Sequence, residues 1–563
     1  MSSDDSERDS ENKAYEERLR RRLTILKKAF EEGTIKIPND SHITESLLAV
    51  RYGPDGEIDL NTVNSVVRSM ALAITAMHDR EELKKAYPLE EIQRIYFKFI
   101  EGIFGPHYKI MLESGLTPHD AGVALSRREE VISYVTRKIP DFLSLIEEFW
   151  RRVSEAAYAH VEDMHESLKG VFGGDLFPAH NENIASKCGI YADTIILPDP
   201  FLRSKELFFR WQKDDQAYYF IKHALNILQY KELACAELDV PIVVILPDRG
   251  VLEEGERDFY VRLGKDDAIE HAARMFGRQF ESFDEMMDFA GALDTIEKVV
   301  SEIKDKTRIL FGTDWEGDIS EQIRQAVEGD SGNLLGTRHP GIIVASQAMG
   351  RMAVSNEILI KARRMRGTPI IDAATSWVYL TWKLEYDAGK AELGSGLKDL
   401  HILRGLQSLS ETEMQWLGKV PPEALIELRK SQALDEIRSL LGGGIEKIAK
   451  ANPHNFYRTA DQIFENIDHA FTEHNKKIKE LVKKKWKFAG TDLASWLVVG
   501  TMEVTAAATG LPVWGLATIA ANQVFDIPKL KDIPASIKEL AQESKKLKLS
   551  PVGMLFTYAS KKA

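Results

Sequence analysis

Hydrophobic residues repeat at helical spacing through the first third of the chain. Residues 1–14 are polar, and from Tyr15 to Glu31 leucines recur every three or four positions among charged residues. This spacing predicts a helix with one apolar face, whereas the polar segment before it lacks the apolar residues that a core requires. We therefore predict a disordered polar tail over 1–14 and a helical N-terminal region over 15–172.

One turn signal interrupts the helical region. The sequence Gly53-Pro54-Asp55-Gly56 lies between two short apolar runs and predicts a hairpin within residues 46–60. Helical periodicity then resumes and continues to residue 170. The predicted helices cover residues 61–86, 89–104, 117–137 and 142–169.

Short β-branched runs replace this pattern after Gly173-Gly174. They alternate with helical stretches and occupy residues 193–197, 241–246, 308–311, 341–345 and 369–371. Strands buried on both faces are continuous apolar runs, and intervening helices allow parallel connections. The pattern predicts a central α/β domain over 173–382, with a mostly parallel sheet of about five strands.

Helical periodicity returns beyond residue 382 and predicts an all-α C-terminal domain over 383–563. Within it, residues 493–525 carry one ionisable side chain, Glu503, and Gly510-Leu511-Pro512 divides them into two arms. Such a segment has to leave water, so we predict an apolar helical hairpin. Each arm is shorter than the roughly 20 residues that a membrane-spanning helix needs.

Basic and aromatic residues accompany this hairpin, and the types are those found at membrane interfaces. They are Lys483, Lys484, Lys485, Trp486, Trp496 and Trp514. The pattern resembles the closed hairpin of colicin-like pore-forming domains, and the resemblance implies an element that stays sheathed by helices until it contacts a membrane. The short arms and Glu503 favour a soluble core instead. Two interpretations therefore stand, a buried hairpin and conditional membrane contact.

Composition narrows the functional classes. Over 563 residues the net charge is -13, which disfavours general nucleic-acid binding because phosphates are repelled by an acidic surface. Two cysteines, Cys188 and Cys235, cannot form a disulfide framework and fit a reducing compartment. The acidic N-terminus lacks a signal-peptide pattern. We therefore expect a cytoplasmic protein, with peripheral membrane association if the hairpin is exposed.

Aspartates follow four of the five predicted strands, namely Asp199, Asp248, Asp314 and Asp372. Ligands bind at the carboxyl ends of the strands in open α/β sheets. With Arg203, Arg249 and Asp318 nearby in sequence, these carboxylates predict a site for a divalent metal ion or a phosphorylated ligand. The alternative is that each aspartate caps the helix or turn that follows it.

The sequence has neither a glycine-rich phosphate loop nor a His-x-x-x-His pair, so it assigns no catalytic residue. We therefore expect a sensor and effector, in which the α/β domain recognises a ligand or partner and the helical C-terminal domain acts through its hairpin. Stress response or phage defence would suit such a design by analogy. One alternative is a metal- or nucleotide-dependent hydrolase that uses the strand-end aspartates. Another is an assembly protein that binds a partner or itself without catalysis.

Overall fold

A computed structural model describes residues 3–36, 40–54, 56–165, 167, 169–173, 183–189, 192–312, 315–329, 337–371, 374–390, 420–431, 487–488 and 491–492. Several predicted features lie outside these residues: Asp314, Asp372, the hairpin 493–525 and its companions Lys483, Lys484, Lys485, Trp486, Trp496 and Trp514.

Helices dominate the described chain. In the first half they are α1 (Ser3–Glu31), α2 (Ser41–Leu48), α3 (Ser65–Ala86), α4 (Leu89–Glu113), α5 (Pro118–Ser126), α6 (Glu129–Asp163), α7 (Ile184–Cys188), α8 (Pro200–Arg203), α9 (Lys205–Phe208), α10 (Lys213–Leu228) and α11 (Lys231–Ala234). They continue as α12 (Arg249–Leu252), α13 (Glu254–Phe276), α14 (Phe283–Gly291), α15 (Ile296–Glu302), α16 (Ile319–Glu328), α17 (Pro340–Arg364), α18 (Ala374–Lys390) and α19 (Pro422–Lys430).

The chain divides into two compact units. Over the described positions, the first comprises residues 1–92 and 155–160, and the second comprises residues 93–154 and 161–530. In the first unit, leucines of α1 at the predicted spacing pack against α3 and the segment before it, which forms a small core of Leu19, Leu23, Leu26, Val63, Val67 and Ala71.

Two details of this first unit differ from the sequence prediction. Helix α1 begins at Ser3, so it extends through most of the segment predicted as a disordered tail. The predicted hairpin is reduced to one antiparallel bridge between Tyr52 and Ile58, because residues before it form α2. Asp40 caps α2 by accepting hydrogen bonds from two backbone N–H groups, and this cap favours a helix there.

A four-stranded parallel sheet lies in the second unit. Its strands are β1 (Lys169–Phe172), β2 (Thr194–Pro198), β3 (Val243–Leu246) and β4 (Thr368–Ile370), in the order β3-β2-β1-β4. The chain therefore crosses outward from β1 to β3 and returns to the far side of β1. The reversal places a topological switch point between β1 and β4, the position where open α/β sheets bind ligands.

The prediction of about five strands was wrong in two places, since the described sheet has four. Residues 341–345 open α17, because His339 caps that helix and Pro340 occupies its first turn. In the segment 308–311 the backbone of Leu310 forms hydrogen bonds with side chains and not with a neighbouring strand. The Gln347 side chain accepts from the Leu310 N–H, and the Tyr379 hydroxyl donates to the Leu310 carbonyl. An apolar run alone cannot distinguish these outcomes.

Strand β1 also corrects the prediction, because it occupies residues 169–172, which had been assigned to the end of the helical N-terminal region. The coarser prediction, a parallel sheet combined with a largely helical chain, is confirmed over the described residues. Helix α18 crosses residue 383, at which the predicted C-terminal domain begins, and a two-residue antiparallel pair joins Lys487–Phe488 to Thr491–Asp492. Among the described residues, no helix combines the length and apolar character needed to cross a bilayer.

Candidate functional site

Asp199 is a buried helix cap. One carboxylate oxygen accepts hydrogen bonds from the Phe201 and Leu202 N–H groups at 2.8 and 2.9 Å, and the other accepts from the Trp150 indole at 2.7 Å. Burial raises the pKa of Asp199 to about 6, despite these hydrogen bonds. Both carboxylate oxygens are therefore engaged by protein donors. Asp199 caps the N-terminus of α8, which is the alternative role that the sequence offered.

Asp248 occupies a different environment, although it follows the neighbouring strand. Its carboxylate makes an ion pair with Arg203 and another with Lys361, whose Nζ lies 2.7 Å from Oδ1. Only 2% of Asp248 is exposed. Burial opposes ionisation, but Arg203 and Lys361 outweigh it and hold the pKa of Asp248 below its ordinary value. Asp248 is therefore the anion of a buried charge cluster.

Glu357 is the fourth member of this cluster, which we call the sheet-end cluster and define as Arg203, Asp248, Glu357 and Lys361. The Glu357 carboxylate lies 3.6 Å from Arg203, whose guanidinium is already bound to Asp248. Burial and the nearby Asp248 charge raise the pKa of Glu357 to about 7. The cluster thus contains two cations, one firmly ionised carboxylate and one carboxyl that titrates near neutrality.

Arg249, the predicted basic partner of the aspartates, pairs with two glutamates outside the sheet-end cluster. Its guanidinium contacts Glu162 at 3.5 Å and Glu253 at 3.4 Å. Asp318 caps α16 by accepting from the Glu321 N–H. Of the predicted site residues that the structure describes, only Asp248 and Arg203 are joined by an ion pair.

Metal binding finds no support in these contacts. Two cations already neutralise Asp248, and a divalent ion would be repelled by them. In the part of the chain that the structure describes, no group of three or more histidine, cysteine, aspartate or glutamate side chains is arranged to hold a metal ion. Asp314 and Asp372 lie outside those residues.

A second buried polar cluster joins α18 to α13 and α17. Asp267 of α13 accepts from Asn356 of α17 at 2.7 Å and from Lys383 of α18 at 3.0 Å. We call these three residues the α18 junction. Lys383 also contacts Asp387, one turn along its own helix, at 2.7 Å.

Helix α17 connects the two clusters through adjacent residues, since Asn356 belongs to the α18 junction and Glu357 to the sheet-end cluster. It also packs closely on α13. A Cβ atom placed on Gly264 of α13 would lie 2.7 Å from the Met349 carbonyl oxygen, so only glycine permits this approach.

Sequence reasoning missed Glu357 and Lys361. They are four residues apart on α17, and this spacing places them on one helix face. That spacing was the only available signal, because their partners Arg203 and Asp248 lie more than 100 residues away in sequence.

Comparison with known proteins adds no assignment to this geometry: no family model, no curated protein and no solved structure matches the chain.

Proposed function

We propose that this protein is a sensor and effector. In this proposal the α/β region recognises a ligand or partner near the carboxyl edge of the sheet, and the response is a change in how firmly α18 is held. Helix α18 precedes the C-terminal region for which the sequence predicts helices and the apolar hairpin. The observation that carries the proposal is the adjacency of Asn356 and Glu357 on α17, one in each buried cluster.

The polar character of both clusters suits a switch. A buried ion pair adds little net stability, because desolvation offsets much of the attraction, yet loss of one partner leaves a costly isolated charge. A ligand that changes the charge balance around Asp248 would therefore shift α17. The same shift would alter the position of Asn356 against Asp267 and Lys383, and with it the attachment of α18.

The effector step rests on the apolar segment 493–525. Its near absence of charge and its flanking lysines favour contact with an anionic lipid surface once the segment is no longer covered. In this proposal the protein is cytoplasmic and binds membrane peripherally and conditionally. We prefer this function to the hydrolase because the carboxylates of Asp199 and Asp248 are already engaged by protein donors.

Hydrogen exchange in the full-length chain tests the coupling. Asp248→Asn removes the firmly ionised carboxylate that pairs with both Arg203 and Lys361 and should cost about 3–5 kcal/mol of local stability. We expect peptides from 374–390 to exchange faster, by a larger factor than peptides from α10, although Asp248 does not bond to α18. Glu206→Gln is the control, since it removes only an exposed ion pair with Arg257. Equal acceleration in α18 and α10 would contradict the coupling.

Liposome flotation tests the effector step separately. Lys383→Met breaks the α18 junction and leaves Asp267 with Asn356 alone. The variant should float with phosphatidylcholine vesicles containing phosphatidylglycerol, whereas the unmodified protein and Glu206→Gln should remain at the bottom. If no variant associates with these vesicles, the membrane role is wrong.

A further inference from the structure

His271 is a residue of α13, contacts α18 and is fully buried. Its Nε2 lies 2.8 Å from the Arg308 carbonyl oxygen, which only accepts, so Nε2 carries a hydrogen. Its Nδ1 lies 2.8 Å from the Tyr386 hydroxyl of α18. Arg308 also donates to that hydroxyl oxygen at 3.4 Å. The hydroxyl is therefore best placed to donate its hydrogen to Nδ1, which fits a neutral imidazole.

The charges around His271 oppose a proton on Nδ1. Arg274 of α13 lies 4.5 Å from the centre of the Tyr386 ring, and Arg308 lies 5.5 Å from the Trp382 ring and 5.7 Å from the Tyr386 ring. The negative charge of Asp305 favours a protonated His271, while Glu270 is paired with Arg274. Other polar or charged groups on the described elements packed here include Gln347 of α17, Asp267 of α13, and Tyr379, Lys383 and Asp387 of α18.

We propose that His271 makes the attachment of α18 acid-sensitive, because the neutral imidazole accepts from Tyr386 and a protonated imidazole places a third cation beside Arg274 and Arg308. The proton is then a signal that acts directly at the α18 contact. This inference goes beyond the proposed function, since it requires neither a ligand nor the sheet-end cluster.

The direction of the pH effect follows from the two states of the imidazole. Burial lowers the pKa of His271 to about 4 when α18 is attached, whereas a solvated histidine has a pKa of about 6.5. Attachment is therefore most stable above pH 6.5, and stability is lost as the pH falls from 6.5 towards 4. Between pH 7 and pH 5 the detached fraction should rise roughly 20-fold.

Hydrogen exchange in the full-length chain measures this change. Exchange of peptides from 374–390 is followed at pH 7 and pH 5, with times scaled for the intrinsic rate and with α10 peptides as the internal reference. We expect a rise of roughly 20-fold relative to α10 in the unmodified protein. His271→Gln cannot be protonated and should reduce that rise to about twofold or less.

His107→Gln is the matched control. His107 is also buried, and burial lowers its pKa to about 4, but it lies on α4 and packs against Phe104. This variant should retain the acid response of α18. The proposal fails if α18 responds no more than α10 in the unmodified protein, or if His271→Gln keeps the full response.

A second measurement covers the case in which His271→Gln is already detached at pH 7. The imidazole resonance of His271 is assigned by its loss in the variant and titrated in the unmodified protein. A midpoint near 4 supports the inference, and a midpoint of 6 or above overturns it. Failure of the Asp248→Asn coupling would leave this result unchanged, so the two proposals fail separately.

Discussion

At the scale of single residues, two identical tetrapeptides meet different surroundings. Ile196-Leu197-Pro198-Asp199 and Ile245-Leu246-Pro247-Asp248 each end a strand, but Pro198 pairs with Leu246. In the register between β2 and β3, the two aspartates are therefore offset by one residue. Successive residues of a strand point to opposite faces, which explains why Asp199 reaches Trp150 of α6 while Asp248 reaches Lys361 of α17.

The first prediction concerns the cap of α8. In Asp199→Asn the amide oxygen can still accept from the backbone N–H groups of α8. The amide NH₂ group then faces the Trp150 indole N–H, so two hydrogen-bond donors meet without an acceptor. We expect the free energy of unfolding to fall by about 1–3 kcal/mol. Urea denaturation followed by circular dichroism measures the loss.

Trp150→Phe supplies the matched control, because it keeps an aromatic ring and removes the indole donor. The double variant should lose less than the sum of the two single variants, since the donor conflict disappears with the indole. Strict additivity would show that the Asp199–Trp150 bond contributes nothing.

The role of Asp199 was within reach of sequence, whereas the role of Asp248 was not. Asp199-Pro200 has a capping residue followed by proline at the first helical position, a recognisable helix start. The partners of Asp248 come from α8 and α17, and nothing local in the chain reports that they converge. Long-range pairing of charges depends on the packing of elements, which one sequence does not specify.

At the scale of elements, edge strand β3 is protected by a side chain. Gln93 is buried, and its amide donates to the Ile245 carbonyl at 3.0 Å and accepts from the Ile245 N–H at 2.9 Å. Its amide therefore makes both hydrogen bonds that a fifth strand would make at this position. An open strand edge is a template for pairing with another chain, and Gln93 blocks it at Ile245.

The second prediction follows from that pairing. Gln93→Leu keeps the volume but leaves the N–H and carbonyl of Ile245 without a partner, so we expect a loss of about 2–5 kcal/mol in unfolding free energy. Gln216→Leu is the control, because Gln216 makes one hydrogen bond to the nearby Trp211 carbonyl. Denaturant midpoints compare the two. A loss for Gln93→Leu no larger than that of the control would contradict the role.

Strands were predicted correctly where local sequence signals agreed. The prediction failed where side chains, and not a neighbouring strand, bond to the backbone of the apolar run. The runs at 193–197 and 241–246 became β2 and β3, since each is apolar and stops at proline. The run at 308–311 has similar composition, yet its backbone bonds to Gln347 and Tyr379. Those side chains are more than 30 residues away, so the local pattern could not reveal them.

At the scale of the whole molecule, each compact unit contains its own apolar core. In the first unit the core is formed by α1 and α3 with the segment before α3, and it includes Leu23. In the second unit the helices that follow β3 form another core, which includes Met286. The domain boundary that sequence predicted at 382 falls inside α18, because helical periodicity continues across it.

The third prediction tests whether the two units unfold independently. Leu23→Ala and Met286→Ala each remove a buried side chain and should cost about 2–5 kcal/mol. We expect Leu23→Ala to accelerate hydrogen exchange in α1 and α3 and not in the second unit, and Met286→Ala to accelerate it in α13 to α17 and not in the first unit. Acceleration of both units by either variant would show that they unfold together.

The strand order has a consequence for synthesis of the chain. Strand β1 ends at Phe172, but its second neighbour β4 begins at Thr368. At a ribosomal rate of about 5–20 residues per second, one side of β1 therefore waits roughly 10–40 s for its partner. Slower translation of residues 173–367 would lengthen that wait and increase the opportunity for nascent chains to associate through β1, whereas a holding chaperone would shorten their exposure.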